Sequence, residues 1–457
     1  MAFFYITLTN PGGVVFFQPW DIFHNYLGAK YLDELGPFDF YACAYEADQE
    51  GRRIWTPETP MRDLHTYQLV PAATLTCPKD NFSVARWQSF THDVYMLTGR
   101  ASSEYWAQVV TDKGYNATPF RSVVFGSVAN MFPLEDQSLL FNLADVLFVL
   151  LTAIIVASTE GLTVALLTLL LLLLYFGTFG RLSGNYFQFA WLPLLALAVG
   201  AWRKGKASIA GGALGLAAGI HVFPLFFALP IGVRGVMAFL QKEKQQWKAV
   251  RDFLSVFVLM GLLCFGVGSL STRGVHAWTE WEQKIVVHSA YLHGEIFNLG
   301  LPTLIATATS VDRSAGTTFV EDFPRTEARL RTFSAERPLW YAGALVVLVV
   351  MVGVSVLIPF ESLFLLGFLP LFALVSLSPY YYLDLALVPY MAVGLGKKAR
   401  LHLILLLLLS FFIGLLYRQE LDISFGYLEN LITQLCLGAY LVYMVYVVLR
   451  DRITTKL

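Results

Sequence analysis

Charge is what this sequence most lacks. Only 14% of its 457 residues are Asp, Glu, Lys or Arg, against roughly a quarter in a soluble domain, so most of its surface is not built for water. The formal net charge is -1, which leaves no field to hold nucleic acid, and no nucleic-acid-binding motif is present. There is no Walker loop, HExxH, CxxC pair or GxSxG, which argues against nucleotide hydrolysis, structural zinc and serine-elbow chemistry. No grouping of His, Cys and carboxylates has ligand spacing, so no metal and no soluble cofactor is expected. Cysteine is scarce, with four in the chain. Cys264 and Cys436 lie inside apolar runs, where a thiol behaves as a small hydrophobe. Cys43 and Cys77 lie in a long polar segment and can pair if that segment is outside the cytoplasm.

What is abundant is apolar length. Hydrophobic residues make up 56% of the chain, mean hydropathy is +0.58, and the apolar residues cluster, as in LTVALLTLLLLLLYFGTFG (162–180) and LHLILLLLLSFFIGLLY (401–417). Such runs are about long enough to cross a hydrocarbon core of roughly 30 Å as helices. The expectation is an all-α polytopic membrane protein with about twelve spans. They lie near 2–18, 139–158, 161–179, 186–202, 207–222, 223–240, 252–270, 339–358, 361–378, 380–396, 400–417 and 431–449. The chain then divides into a weak or truncated first span (1–18), a large outer loop (19–138), a helical bundle (139–271), a second outer segment (272–338) and a C-terminal bundle (339–457).

Lys and Arg are retained on the cytoplasmic side of short loops. Alternation through twelve spans puts the basic stretches 202–206, 241–251, 397–400 and 450–457 on one side, and both long polar segments on the other. The termini are therefore expected in the cytoplasm of a plasma or inner membrane. Within 207–240, His221-Val222-Phe223-Pro224 interrupts the apolar run; this predicts either two short spans or a re-entrant hairpin. In the second outer segment, Trp278, Trp281, Ile285, His288 and Leu292 recur at helical spacing, with Glu280, Glu282, Gln283 and Lys284 elsewhere on the wheel. That pattern predicts an interfacial amphipathic helix.

The most informative polar stretch is QPWDIFHNYLGAKY (18–31). Pro19 suits a helix start, and α-helical spacing then places Asp21, His24, Asn25 and Gly28 on one face. On spacing alone, Asp21 reads first as a carboxylate that caps a helix near its N-terminus. Other polar residues recur where spans meet the same outer face: Arg181, Asn185 and Gln188 in RLSGNYFQ, Tyr381 and Tyr382 in SPYYY, and Asn298 after the amphipathic helix. A lone Arg there suits a phosphate or an interfacial anchor.

These stretches resemble the GT-C superfamily of multispan glycosyltransferases, and within it the polyprenyl-phosphate-mannose-dependent mannosyltransferases. The similarity is carried by GNYFQ with the following basic WRKGK loop, by AGGALGLAAGIHVFPLFFALP, by WDIFHNYLGAKY and by SPYYYLDLALVP. The resemblance implies a GT-C-like bundle that transfers a sugar, with mannose the expected one, from a polyprenyl-phosphate donor in the membrane. The acceptor would be a lipid or glycan at the extracytoplasmic face, and transfer would proceed with inversion and without a metal. It implies Asp21 as general base, Arg181 on the donor phosphate, and Asn185, Gln188 and Tyr381 lining the sugar pocket; His24, Asn25, His221, His288, Asn298 and Tyr382 are further candidates for the substrate site. The chain departs from the family pattern where His221 replaces a common Lys, which makes any cationic role there pH-dependent. It departs again where Tyr381-Tyr382 replaces a His-Tyr pair. The competing expectation is a transporter or flippase for a lipid-linked or small polar substrate.

Overall fold

An apolar segment folds as a helix because its backbone groups must find partners within the segment. The computed structural model is accordingly helical almost throughout, with one short antiparallel ribbon. It describes residues 19–175, 184–311, 319–420 and 426–456; the expected span at 2–18 and Arg181 lie outside them.

The outer lobe begins with α1, which runs through Pro19–Ile22, widens into a π turn over Phe23–Leu27 and ends at Gly28–Lys30. It continues with α2 (Leu32–Leu35), α3 (Phe40–Glu50), α4 (Val84–Thr98), α5 (Ser103–Val109) and α6 (Pro119–Ala129). Between α3 and α4, β1 (Pro60–Arg62) pairs with β2 (Leu69–Pro71), Met61 opposite Val70. Phe23 packs edge-on against Phe40, Trp106 and Trp55 at centroid distances of 5.0, 5.2 and 6.3 Å. A Cys43–Cys77 disulfide ties α3 to the stretch before α4. Gly126 lets α6 touch the α1 backbone: an added Cβ would sit 2.3 Å from the Ala29 carbonyl oxygen.

The apolar helices follow: α7 (Ser138–Glu160), α8 (Leu162–Leu174), α9 (Trp191–Arg203), α10 (Ala207–Ile220), α11 (Ala228–Leu240) and α12 (Lys244–Gly268). Then come α13 (His276–Leu292), α14 (Leu301–Thr309), α15 (Phe319–Leu357), α16 (Phe368–Leu374), α17 (Val388–Met391), α18 (Lys397–Glu420) and α19 (Gly426–Lys456). Among the described residues, five helical stretches are long and apolar enough to cross a membrane: Leu143–Glu160, Phe223–Leu240, Lys244–Gly268, Val320–Leu357 and Leu431–Arg450. Their outer faces are apolar, with Leu147, Ile154, Leu262, Leu345 and Val349 each more than half exposed. Soluble proteins do not leave apolar faces of that extent uncovered.

Several expected elements take another form. The runs 361–378 and 380–396 are not continuous α-helices. Each opens as a 3-10 turn, Phe360–Gly367 and Pro379–Leu387, before the short α16 and α17. Proline supplies no backbone donor, and Pro359, Pro379 and Pro389 punctuate this stretch. The boundary placed at 338/339 falls inside α15, which passes through Pro324 and Pro338 without a break. The 207–240 stretch is two helices, α10 and α11, parted at His221-Val222 where Thr118 of the outer lobe donates to the Gly219 carbonyl at 2.5 Å.

The predicted amphipathic helix is α13, and its expected stripe of Trp278, Trp281, Ile285, His288 and Leu292 is buried or half-buried; Lys284, expected off that stripe, is buried as well. Lys284 is 1% exposed while Val286 is 62% exposed. The face is set by the outer lobe: Lys284 Nζ donates to the Pro37 carbonyl at 2.5 Å, and Trp281 Nε1 to the Asn116 carbonyl at 3.2 Å.

Candidate functional site

Five elements meet where the outer lobe touches the membrane helices, and Arg121 is at their centre. Thr118 caps α6 by accepting from the Arg121 amide at 3.1 Å, and Pro119 occupies the first turn. Arg121 is thereby fixed in the first turn of α6, where the unpaired amides already favour negative charge. Its side chain is 3% exposed. Nη1 donates to His221 Nε2 at 2.8 Å. Nη2 is shared among Asn25 Oδ1 at 3.2 Å, the Tyr186 carbonyl at 3.3 Å and Gln188 Oε1 at 3.4 Å. A guanidinium only donates, so His221 Nε2 is the unprotonated nitrogen and His221 is a neutral acceptor. The cation beside position 221 is the Arg121 guanidinium of α6.

Every partner of Arg121 is neutral, and no carboxylate lies within ion-pair distance of it among the described residues. Two carboxylates stand farther off. Asp145 of α7 is fully buried; its Oδ1 accepts the Phe189 amide at 2.7 Å and its Oδ2 has no hydrogen-bond partner among the described residues. Both Arg121 and Asp21 lie within electrostatic range of Asp145. The turn that carries Asn185, Tyr186 and Gln188 is shaped by positive φ at Gly184 (83°) and Phe187 (53°). A non-glycine residue held there costs about 1–3 kcal/mol and needs support from its surroundings. Phe187 has it, stacked on Phe125 of α6 at 4.5 Å. The Tyr381 ring lies 5.2 Å from the His221 ring and 5.1 Å from Phe223.

The sequence-derived residues divide accordingly. Asn25, Gln188 and His221 touch Arg121, Tyr381 packs against His221, and Asn185 is buried in the same turn. His24 is turned away from the junction, contrary to the shared face expected for Asp21, His24 and Asn25. The π turn inserts an extra residue and rotates His24 into the outer-lobe core. There its Nδ1 faces the Trp20 carbonyl at 2.9 Å and its Nε2 the Tyr41 hydroxyl at 2.7 Å. A carbonyl only accepts, so Nδ1 carries the proton and Tyr41 donates to Nε2. Burial lowers the His24 pKa, keeping the ring neutral.

His288 also lies outside the junction, with Nδ1 3.1 Å from the Tyr67 hydroxyl. Burial, with the nearby charges of Lys113 and Lys284, pushes its pKa down to about 3. Tyr382 is fully buried, and its hydroxyl has no hydrogen-bond partner among the described residues. Asn298 is a connector: its Nδ2 donates to Glu295 Oε2 at 3.0 Å and its Oδ1 accepts from Ser378 at 3.2 Å.

That connector ends a second polar chain. Trp20 Nε1 donates to Asp112 Oδ2 at 2.7 Å, Lys113 pairs with Glu295 at 2.5 Å and with Asp112 at 3.3 Å, and Asn298 links onward to Ser378. The chain fastens α1, which bears Asp21, to the turn that bears Tyr381. Despite its burial, Asp112 is held below the usual carboxylate range, chiefly by the Lys113 charge.

Arg121 and Asp145 escaped the sequence reading. Asp145 had a readable signal, the lone ionisable residue between Asp136 and Glu160 of an apolar run. Arg121 had none beyond a Thr-Pro helix start, because its partners are 65 to 100 residues away. No family model, no curated protein and no solved structure matches this chain.

Proposed function

We propose that this protein is a membrane glycosyltransferase that moves a sugar, with mannose the first to test, from a polyprenyl-phosphate donor to a lipid or glycan acceptor. The observation that carries this reading is Arg121: a buried guanidinium with only neutral partners, three of them sharing Nη2 at long range. Phosphate oxygens offer such a guanidinium shorter, charge-assisted bonds. In the proposed step the acceptor hydroxyl oxygen attacks the anomeric carbon as the bond to the phosphate oxygen breaks. Asp21 takes the hydroxyl proton, and the phosphate leaves with the bonding pair, stabilised by Arg121. Asn25, Gln188, Asn185 and Tyr381 line the sugar side, and no metal is assigned a role.

The proposed setting is a bundle of about twelve spans with both termini cytoplasmic and the Asp21–Arg121 junction extracytoplasmic. The four basic loops on one side support that orientation. So does the Cys43–Cys77 disulfide, since disulfides persist in oxidising compartments.

A transport reading draws on the helices broken at 221–227 and 360–391. The two separate in one assay. Protein reconstituted into liposomes with radiolabelled polyprenyl-phosphate sugars should transfer label to acceptor, and Asp21→Asn should lower the rate by ~10²–10⁴-fold. Full transfer by a stably inserted Asp21→Asn variant contradicts the mechanism, whereas transport survives that change.

A further inference from the structure

The turn that presents Tyr186 and Gln188 to Arg121 does not hold its own shape. Gly184 and Phe187 are both at positive φ, 83° and 53°, so the conformation must be fixed from outside. α7 grips it at both ends. The Gly184 amide donates to the Phe141 carbonyl at 3.0 Å, and the Phe189 amide donates to Asp145 Oδ1 at 2.7 Å. Phe141 and Asp145 are one helical turn apart on α7. A third bond, from the Tyr186 hydroxyl to the Phe125 carbonyl at 2.7 Å, ties the middle of the turn to α6. Between the two α7 grips lie the Tyr186 carbonyl and Gln188 Oε1, which accept from Arg121 Nη2 at 3.3 and 3.4 Å.

Of the three bonds, only the one at Phe189 is made by a carboxylate, and it adjoins Gln188. α9 follows with no side-chain cap at Ala190, so Asp145 supplies the acceptor just ahead of that helix, where negative charge is favoured. A capping role explains the bond but not the choice of residue. Asp145 is fully buried in an apolar helix, with no partner for Oδ2 among the described residues. A neutral acceptor satisfies one amide at a smaller desolvation cost. What a carboxylate adds is a shorter, stronger bond to that amide.

We propose that Asp145 is a positioning residue for the transfer step. Through the Phe189 amide it sets where Gln188 and the Tyr186 carbonyl stand, and so how Arg121 aims its guanidinium at the leaving phosphate. In this role it touches neither sugar nor phosphate. The inference rests on the transferase reading. Its leverage is geometric, since a misplacement of about 1 Å costs a site ~10²-fold in rate.

The test is the liposome assay with the radiolabelled polyprenyl-phosphate sugar donor, each rate normalised to the folded protein present so that a purely structural loss cancels. Asp145→Leu keeps the bulk without the acceptor and should lower kcat/KM for the donor by ~10–10²-fold. Asp145→Asn keeps an oxygen for the Phe189 amide and should restore the rate to within about fivefold of wild type. In an Arg121→Met background, Asp145→Leu should cost no more than about threefold further, because both changes act through one group. Equal losses in Asp145→Leu and Asp145→Asn overturn the proposal, as does a full additional loss in the Arg121→Met background. If Asp145→Leu fails to insert, Asp145→Ser, whose hydroxyl falls short of the amide, takes its place with the same expectations. Wild-type protein that transfers no sugar removes the transferase reading and this inference with it. Active wild type with an unaffected Asp145→Leu removes this inference alone.

Discussion

Lys113 and Arg121 are two buried cations only eight positions apart, and their surroundings are opposite. Lys113 is in an ion pair with Glu295 at 2.5 Å and near Asp112 at 3.3 Å. Each of those carboxylates is anchored in turn, by Asn298 and by Trp20. Arg121 has four neutral acceptors, three of them sharing one nitrogen at 3.2 to 3.4 Å. A satisfied network of the first kind rigidifies what it joins. An under-satisfied cation of the second kind keeps its charge for a ligand. The first holds the outer lobe to the membrane helices; the second is where an anion from the membrane is proposed to sit.

The contrast can be broken most severely at Lys113. Lys113→Met leaves Glu295 and Asp112 buried without their cation and should cost about 3–5 kcal/mol, read as a loss of folded protein in a thermal or denaturant titration. Arg121→Met removes no ion pair but leaves buried acceptors such as His221 Nε2 without their donor, so it should cost about 1–3 kcal/mol, less than Lys113→Met. Its transfer rate should fall by ~10²–10³-fold, with Arg121→Lys intermediate because a point charge replaces a fork.

The smallest effect expected is one of pH. Burial pulls the Lys284 ammonium down to about 7 from the ordinary 10.5, against the attraction of Asp112 and Asp39. Between those values the unfolded chain binds the extra proton, so stability rises with pH. The cost of charging Lys284 is fully present below pH 7 and is relieved as pH climbs. From pH 7 to 8.5 the gain should be about 2 kcal/mol, and Lys284→Met should flatten it. An unchanged slope in that variant contradicts the burial of a charged Lys284.

How much of this was legible in the sequence depends on the range of the interaction that decides it. The apolar runs and α13 are local periodicities and could be read directly. The π turn in α1 could not, because what turns His24 inward is Tyr41, seventeen residues on, together with an aromatic core gathered from 40, 55 and 106. Lys284 looked like a solvated position until the Pro37 carbonyl claimed it. The turns 360–367 and 379–387 have the composition of spans, and proline spacing alone did not distinguish a 3-10 start from a kink. In the candidate site, Asn25, Gln188 and His221 meet in the fold with Tyr381 packed on His221, but the common partner of the first three, Arg121, is a product of tertiary structure alone.

The most direct test of the division between these two cations is ligand-induced stabilisation by polyprenyl phosphate without its sugar, in the full chain and two variants. Wild type should melt about 3 °C higher with saturating ligand. Lys113→Met should start from the lowest midpoint yet keep that upward shift, and Arg121→Met should start from a midpoint closer to wild type and lose it. A full wild-type shift in Arg121→Met would contradict the assignment of the phosphate to Arg121.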